Sequence, residues 1–168
     1  RPKGIMAPLT GVHPSENKAA APLGMLYQFN REMTYLSPAP IYHAAPQAFS
    51  NATLCFGGTV VMMEKFDAEH ALSLIEKRRA THSQWVPTMF VKMLKLPEET
   101  RTKYDISSLQ VAIHAAAPCP IEIKEKMIDW WGEVIVEYYG ASEGIGLTII
   151  DSASWLTHKG SVGLALMG

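Results

Sequence analysis

Short apolar runs alternate with longer amphipathic stretches along most of this chain. Compact apolar runs predict buried strands, and apolar residues that recur every three or four positions predict helices with one covered face. Strands are predicted at 33–40, 59–63, 81–86, 109–115 and 133–139, with a further strand favoured at 145–150. Helices are predicted at 43–58, 67–79, 87–96 and 120–131. This alternation predicts an α/β fold, a layered and mostly parallel sheet flanked by helices.

Two of these stretches have clear helix signals. Asp67 is a good N-cap for 67–79, whose predicted inner face comprises Ala71, Leu74, Ile75 and Arg78. The stretch 120–131 starts with a proline, and its predicted inner face comprises Met127, Ile128 and Trp131. Residues 11–24 mix Gly, Pro, Ser and Asn without periodicity, so they predict a loop with at most a helical turn.

Ligands of such sheets bind at the carboxyl ends of the strands, so the loops that follow strands are the places to look for chemistry. Three loops stand out, at 39–46, 114–120 and 139–146. In the third loop, Tyr139 offers an aromatic face, Gly140 allows close backbone approach, Ser142 offers a hydroxyl and Glu143 offers a hard oxygen ligand. These groups suit a nucleotide with its Mg²⁺.

The other two loops allow two interpretations each. The run Ala115–Pro118 has almost no side chain, so its backbone could approach a flat ligand, or it could simply be a tightly packed loop. In the first loop, His43 follows Tyr42 at a predicted helix start. It could donate to a substrate carboxylate or phosphate, or it could be a helix cap or a packed side chain.

Residues 140–144 also satisfy the G-x-S-x-G pattern of a serine hydrolase, with Ser142 as the nucleophile. That elbow requires a helix directly after the serine, whereas the residues that follow here favour a strand. Asp151 and His158 come later in the order of a catalytic triad, but such partners normally lie on separate strand ends much further along a chain. The hydrolase interpretation is therefore disfavoured.

Composition and charge make some classes of function unlikely. The 168 residues are 48% hydrophobic and 18% charged with a net charge of −1, which is typical of a globular domain and gives no reason to expect nucleic acid as a partner. Cys55 and Cys119 lack zinc or disulfide spacing, and no apolar run is long enough for a membrane span. We therefore expect a cytoplasmic protein that acts on small molecules.

The motifs together resemble one family. Arg1-Pro2-Lys3-Gly4 looks like the end of the phosphate-loop signature of acyl- and aryl-CoA synthetases, firefly luciferases and nonribosomal-peptide adenylation domains. Further resemblances, in the family's order, are Trp85-Val86-Pro87-Thr88, His114-Ala115-Ala116-Ala117-Pro118, Tyr138-Tyr139-Gly140-Ala141-Ser142-Glu143 and Gly160-Ser161-Val162-Gly163. Among branches of this adenylate-forming superfamily, the chain looks most like bacterial fatty-acyl-CoA ligases.

The resemblance implies roles for individual residues. The catalytic residues would be His43, which orients the acyl carboxylate, Ser142, which bonds a phosphate oxygen, and Glu143, which holds Mg²⁺. The implied nucleotide-binding residues are Lys3, Ala115, Ala116, Ala117, Pro118, Tyr138, Tyr139, Gly140, Ala141 and Ser142, with Tyr139 stacked on adenine. The implied acyl pocket consists of Tyr42, His43, Ala115, Ala116 and Gly140. Alanines stand where the family commonly has glycines, which would make this pocket shallower.

The activity implied by the resemblance is ATP-dependent conversion of a carboxylic acid, of the fatty class, to acyl-AMP and its transfer to coenzyme A. Residues 1–168 would be the central portion of the AMP-binding domain, without the start of the phosphate loop and without the C-terminal domain. We therefore expect this piece alone to be inactive and its exposed apolar surface to favour self-association. The alternative from a different class is a catalytically silent module that binds acyl groups or nucleotides.

Overall fold

A computed structural model describes Gly11, residues 20–141 and residues 146–167. The strands are β1 (Thr34–Ser37), β2 (Thr59–Met62), β3 (His82–Trp85), β4 (Val111–His114), β5 (Ile135–Gly140), β6 (Leu147–Asp151) and β7 (Leu164–Met167). The helices are α1 (Ala21–Tyr27), α2 (Ala44–Cys55), α3 (Ala68–Arg78), α4 (Pro87–Leu94), α5 (Glu98–Lys103), α6 (Ile121–Trp131) and α7 (Ser152–Thr157).

All the strands of the described ranges belong to one sheet, in the order β2-β1-β3-β4-β5-β6-β7. The first five of these are parallel, whereas β6 and β7 are antiparallel to their neighbours. The predicted layered, mostly parallel α/β fold is therefore confirmed. Parallel pairing places the carboxyl ends of β1, β3, β4 and β5 at one edge, and the three loops singled out above begin at the ends of β1, β4 and β5.

Two apolar clusters cover the two faces of the sheet. One cluster joins α3, α4, α6 and α7 to the sheet, and the other joins α1 and α2 to it. Successive residues of β4 point alternately into the two clusters, with Ala112 in the first and Val111 and Ile113 in the second. Coverage on both faces explains why the run that forms β4 is almost entirely apolar, whereas β3 is equally buried but contains the polar residues His82, Ser83 and Gln84.

Helix α3 illustrates how sequence signals produce an element here. The carboxylate of Asp67 accepts a hydrogen bond from the backbone N–H of His70 at 2.8 Å, as an N-cap should. Ala71, Leu72 and Ile75 are fully buried, and burial of each large aliphatic side chain contributes about 1.5–3 kcal/mol. The predicted inner face was partly wrong, because Arg78 is exposed and Leu74 is only half-buried, whereas Leu72 belongs to that face. The helix is therefore held by both its cap and its inner face.

The structure contains short elements that the sequence did not predict: α5, α7 and β7, and also α1, where only a helical turn was allowed. Helix α5 has Glu98 in its first turn and Lys103 in its last turn, the charges that favour each helix end. Helix α7 is capped by the carboxylate of Asp151, which accepts from the backbone N–H of Ser154 at 2.8 Å. Elements this short show too few residues for a periodic pattern.

None of the helices in the described part of the chain is long and apolar enough to cross a membrane.

Candidate active site

A cavity of about 330 Å³ lies at the carboxyl ends of β4 and β5, on the sheet face that α6 and α7 cover. This volume falls at the small end of the range for ligand pockets. Its lining residues are Ala116, Ala117, Pro118, Cys119, Glu137, Tyr138, Tyr139, Gly140, Trp155 and Gly160–Val162. The structure thus brings the second loop together with residues 139 and 140, where the third loop begins, and residues 160–162 also line the cavity.

The loop after β4 supplies a wall of small residues. Ala115 is buried, whereas Ala116, Ala117 and Pro118 are exposed to the cavity mouth. Ala116 has φ of +77°, in the left-handed region where a residue with a Cβ is strained. Backbone strain of this kind clusters at functional sites, because the surrounding structure must hold it in place.

Because the backbone at Ala116 is strained, a glycine substitution there is expected to stabilise the protein, whereas most such substitutions destabilise. We expect Ala116→Gly to raise the free energy of unfolding by about 0.5 kcal/mol, because glycine adopts this backbone without a Cβ penalty. Ala117→Gly is the matched control and should lower stability by about the same amount, because Ala117 lacks a positive φ. Urea unfolding of both variants measures the difference. Destabilisation by both substitutions would contradict the strained backbone.

The end of β5 presents its two tyrosines to opposite faces of the sheet. Tyr138 packs against α2, with its ring 6.1 Å from that of Phe49. The side chain of Tyr139 is 62% exposed at the cavity, where its ring is open to a flat ligand. A Cβ at Gly140 would lie 3.1 Å from Leu147 Cδ1, so this position has little room for a side chain. The nucleotide-binding role of these residues remains a prediction.

The first loop lies at the same edge of the sheet but does not line this cavity. His43 occupies the N-cap position of α2, where its exposed imidazole makes no capping hydrogen bond. The ring of Tyr42 lies 4.6 Å from that of His43 and is also exposed. Since β1 and β5 are three strand spacings apart, about 14 Å separates their ends. The acyl-pocket role of Tyr42 and His43 therefore remains a prediction.

Some predicted site residues lie outside the described ranges. These are Lys3, Ser142 and Glu143, and their roles in phosphate and Mg²⁺ binding remain predictions. Ala141 is described directly after β5, and Gly146 is described directly before β6.

The structure also reveals a buried charged cluster that the sequence analysis missed. The ammonium Nζ of Lys124 lies 2.6 Å from Oε2 of Glu137, and Nε2 of His114 lies 3.5 Å from the same oxygen. Lys124 and His114 are fully buried, and the Lys124 ammonium also lies 4.7 Å from the centre of the Trp155 ring. Glu137 thus joins the charged cluster to the cavity wall.

Burial determines the protonation of the groups around Glu137. It lowers the pKa of His114 to about 3, with the positive charge of Lys124 adding to the effect, so the imidazole is neutral at pH 7. Burial also lowers the pKa of Lys124, although the hydrogen bond and charge of Glu137 oppose this shift. The pKa of the Cys119 thiol rises to about 11, mainly through burial. Cys119 is therefore a neutral thiol at the cavity wall.

A sequence signal for this cluster did exist. Lys124 precedes Met127, Ile128 and Trp131 at helical spacing, which places it on the inner face of α6. Glu137 follows Ile135 by two positions and so shares its face of β5. A lysine on the inner face of a helix and a glutamate on the inner face of a strand each indicate a buried charge that requires a partner, and the structure shows that they pair with each other.

The hydrolase alternative finds no support in the position of its remaining partners. Asp151 pairs with Val136, and Leu147 pairs with Gly140, so β6 carries Asp151 about 13 Å away from the end of β5. Asp151 and His158 line a separate groove, and the Asp151 carboxylate caps α7. Ser142 itself lies outside the described residues, although it directly follows Ala141.

Comparison with known proteins places the chain in a family. The family described as AMP-binding enzyme matches residues 1–168. The probable CoA ligase CCL5 of Humulus lupulus is 36% identical over 118 residues, which are 69% of this chain and 21% of that protein. A long-chain-fatty-acid–CoA ligase of Bacillus subtilis is 30% identical over 129 residues, 76% of this chain and 23% of that protein.

Solved structures agree with this similarity. The N-terminal domain of FACL13 from Mycobacterium tuberculosis gives a TM-score of 0.76 at 26% identity, over 88% of this chain and 38% of that one. The chain spans about a fifth of the length of the curated relatives it matches. The chain therefore belongs to the AMP-binding enzymes of the adenylate-forming superfamily, and the members that it resembles include CoA ligases.

Proposed function

We propose that this chain is part of an enzyme that activates a carboxylic acid with ATP to form acyl-AMP and transfers the acyl group to coenzyme A. The observation that supports this best is the cavity at the ends of β4 and β5. One wall is the small-residue loop Ala116–Pro118, and another presents the open ring of Tyr139. A small-residue wall facing an aromatic ring suits a flat nucleobase.

The chemistry of the first step matches the predicted site residues. A carboxylate is a poor electrophile, so the acid must first attack the α-phosphorus of ATP and expel pyrophosphate. Both reactants are anions, so the step needs alignment and charge neutralisation more than it needs a protein nucleophile. We assign Tyr139 to base stacking, Ser142 to a phosphate oxygen and Glu143 to the Mg²⁺ that neutralises the phosphates.

For the acid we propose a fatty acid, with Tyr42 and His43 at the carboxylate end of its site. The Bacillus subtilis relative is named as a long-chain-fatty-acid–CoA ligase, and other relatives are named for 4-coumarate and ferulate. Fatty and aromatic acids are therefore the two classes to compare. An imidazole exposed at the sheet edge that bears the cavity can donate a hydrogen bond to either kind of carboxylate.

The decisive experiment is carboxylate-dependent exchange of pyrophosphate with ATP in the longest natural form of the protein. We expect exchange with fatty acids and a loss of at least about 100-fold in Glu143→Ala, because the variant removes the proposed Mg²⁺ ligand. Glu32→Ala is the matched control, since Glu32 is exposed on the turn before β1 and far from the cavity. It should exchange at the wild-type rate.

Three outcomes separate the alternatives. Exchange with aromatic acids alone would retain the reaction and reject the fatty-acid assignment. Full exchange in Glu143→Ala would reject the Mg²⁺ assignment. A protein that binds ATP but exchanges with no acid would instead be the silent binding module.

The remaining expectations stand as parts of this proposal. ATP, Mg²⁺, coenzyme A and the acid are the proposed small-molecule partners, and we propose no nucleic-acid partner. Self-association is supported by large apolar side chains that are exposed on the described surface, namely Met25, Leu54, Met62 and Leu164. A cytoplasmic location stays a prediction, and some relatives are named as peroxisomal or mitochondrial.

A further inference from the structure

The residues that line the cavity differ in exposure, and this difference distinguishes its mouth from its inner end. Tyr139 is 62% exposed and the loop Ala116–Pro118 is also exposed, so these residues form the mouth. Trp155 of α7 lines the same cavity but is only 1% exposed. A lining residue that solvent hardly reaches lies at the closed end of a cavity. Trp155, the largest of the lining side chains named above, therefore limits the depth of this cavity.

The Trp155 side chain is held in place by contacts with its ring and by the anchoring of its helix. The ammonium of Lys124 lies 4.7 Å from the centre of the Trp155 ring, a cation–π contact between two buried groups. At the first residue of α7, the hydroxyl of Ser152 donates a hydrogen bond to the carbonyl oxygen of Ile135 on β5 at 2.7 Å. The Asp151 cap holds the same end of the helix. The indole is therefore a fixed wall that does not swing aside for a larger ligand.

We propose that Trp155 is a specificity-determining residue of the candidate active site, which closes the inner end of the cavity to a purine that carries a bulky substituent. This inference rests on the proposed function, because it concerns the nucleotide that the same cavity binds. Ser142 and Glu143, to which we assign the phosphates and Mg²⁺, follow β5 in the sequence, and β5 ends at the mouth. The base therefore points inward, and its leading edge meets the indole of Trp155.

Exclusion by a fixed side chain has a defined consequence for selectivity. The cavity volume of about 330 Å³ is at the small end of the range for ligand pockets, so little space remains beside a bound base. An apolar pocket discriminates by roughly 10- to 200-fold against a single additional methylene. Replacing the indole of Trp155 by a smaller side chain enlarges the cavity at its inner end, and the steric clash that rejects the substituent disappears.

The test is Trp155→Leu in the longest natural form of the protein, with ATP and three ATP analogues as probes. The analogues carry a benzyl group on N6, a methylthio group on C2 or a bromine on C8 of the adenine, so that each edge of the base is tested. We expect wild type to bind at least one analogue at least about tenfold more weakly than ATP, and Trp155→Leu to bind that analogue within about threefold of ATP. Titration calorimetry gives the ratio of the two dissociation constants within one protein, in which a general weakening of binding cancels.

Trp130→Leu is the matched control for this experiment. It makes the same replacement at a half-buried tryptophan of α6 that lines a separate groove, so its ratios should equal those of wild type. If Trp155→Leu does not fold, Trp155→Phe decides, because phenylalanine keeps an aromatic ring next to Lys124 but is smaller than the indole. Binding of the excluded analogue relative to ATP should then improve at least about threefold, and an unchanged ratio would overturn the proposal.

The outcomes separate this inference from the proposed function. If wild type binds ATP and the variants of Trp155 keep the wild-type ratios, the role of Trp155 is overturned and the proposed function stands. Wild type that binds all three analogues as tightly as ATP would also overturn that role, because Trp155 would then exclude nothing. Wild type that binds no ATP would reject the proposed function, and the role of Trp155 in base selection with it.

Discussion

Gly163→Ala is expected to destabilise the protein by about 4 kcal/mol, the largest effect of any substitution considered. Gly163 has φ of +90°, and a Cβ at this position would overlap the carbonyl oxygen of Ile149 and lie 2.9 Å from the Cβ of Ile150. These are backbone and Cβ atoms of β6, so no flexible side chain can move to make room. The urea midpoint should fall by about 2 M, which equilibrium unfolding followed by circular dichroism measures.

Gly160→Ala provides the matched control for this prediction. Gly160 lies three residues before Gly163 and has φ of +84°, but a Cβ there would have the flexible end of Ile121 as its nearest neighbour, at 3.5 Å. The control therefore reports the backbone penalty alone, about 1 kcal/mol. Equal losses in the two variants would mean that the close approach of Gly163 to β6 is absent.

Glu137→Leu should lower the free energy of unfolding by about 3 kcal/mol at pH 7. Leucine roughly fills the volume of the glutamate, so the loss comes from the Lys124 ammonium, which stays buried without a counter-ion. Glu133→Leu is the control, since Glu133 is exposed just before β5 and should change stability by less than about 0.5 kcal/mol. Urea unfolding of the two variants gives the comparison.

The pH dependence of this loss has a defined sign. The pKa of Lys124 is already lowered by burial, and removal of Glu137 takes away the main influence that opposes that shift. When the pKa of a lysine is lower in the folded state than in the unfolded state, the folded protein binds fewer protons in the pH range between the two values. Burial of the lysine therefore costs no stability above about pH 10.5, the pKa of the unfolded chain, and costs progressively more as the pH falls toward the folded-state pKa. The deficit of Glu137→Leu should therefore shrink as the pH is raised from 7 toward about 10.

The double variant Glu137→Leu with Lys124→Met completes the test. Replacing both charges with apolar side chains removes the uncompensated ammonium, so most of the lost stability should return at pH 7. A double variant as unstable as Glu137→Leu alone would show that packing of the leucine, and not the orphaned charge, causes the loss. A loss that does not change with pH would lead to the same conclusion.

Much of the fold was predictable from local patterns. The run that forms β4 and the cap of α3 by Asp67 are decided by residues close together in the sequence, and the structure has both. The α/β class also followed, because alternating strands and helices bury both faces of a parallel sheet. The short helices α5 and α7 were missed, because six residues do not complete enough turns to show a hydrophobic face.

The site was predictable to a lesser extent. The loop after β4 and the end of β5 line one cavity, as expected from neighbouring parallel strands. The loop after β1, with His43, starts three strands away and does not line that cavity. Local sequence patterns do not determine the order of strands in a sheet. The sequence therefore predicted that these loops lie at one edge of the sheet, but it did not predict which of them are in contact.

The sequence by itself determined the longer strands and helices and the residues that stand at the strand ends, because these depend on neighbours within a turn or two. Tertiary structure alone decided that Lys124 pairs with Glu137, that Ala116 adopts a left-handed backbone and that β6 runs back against β5. These features arise where distant segments meet. The energy of a buried charge or a strained backbone depends on the groups that surround it in space, and only the folded chain brings those groups together.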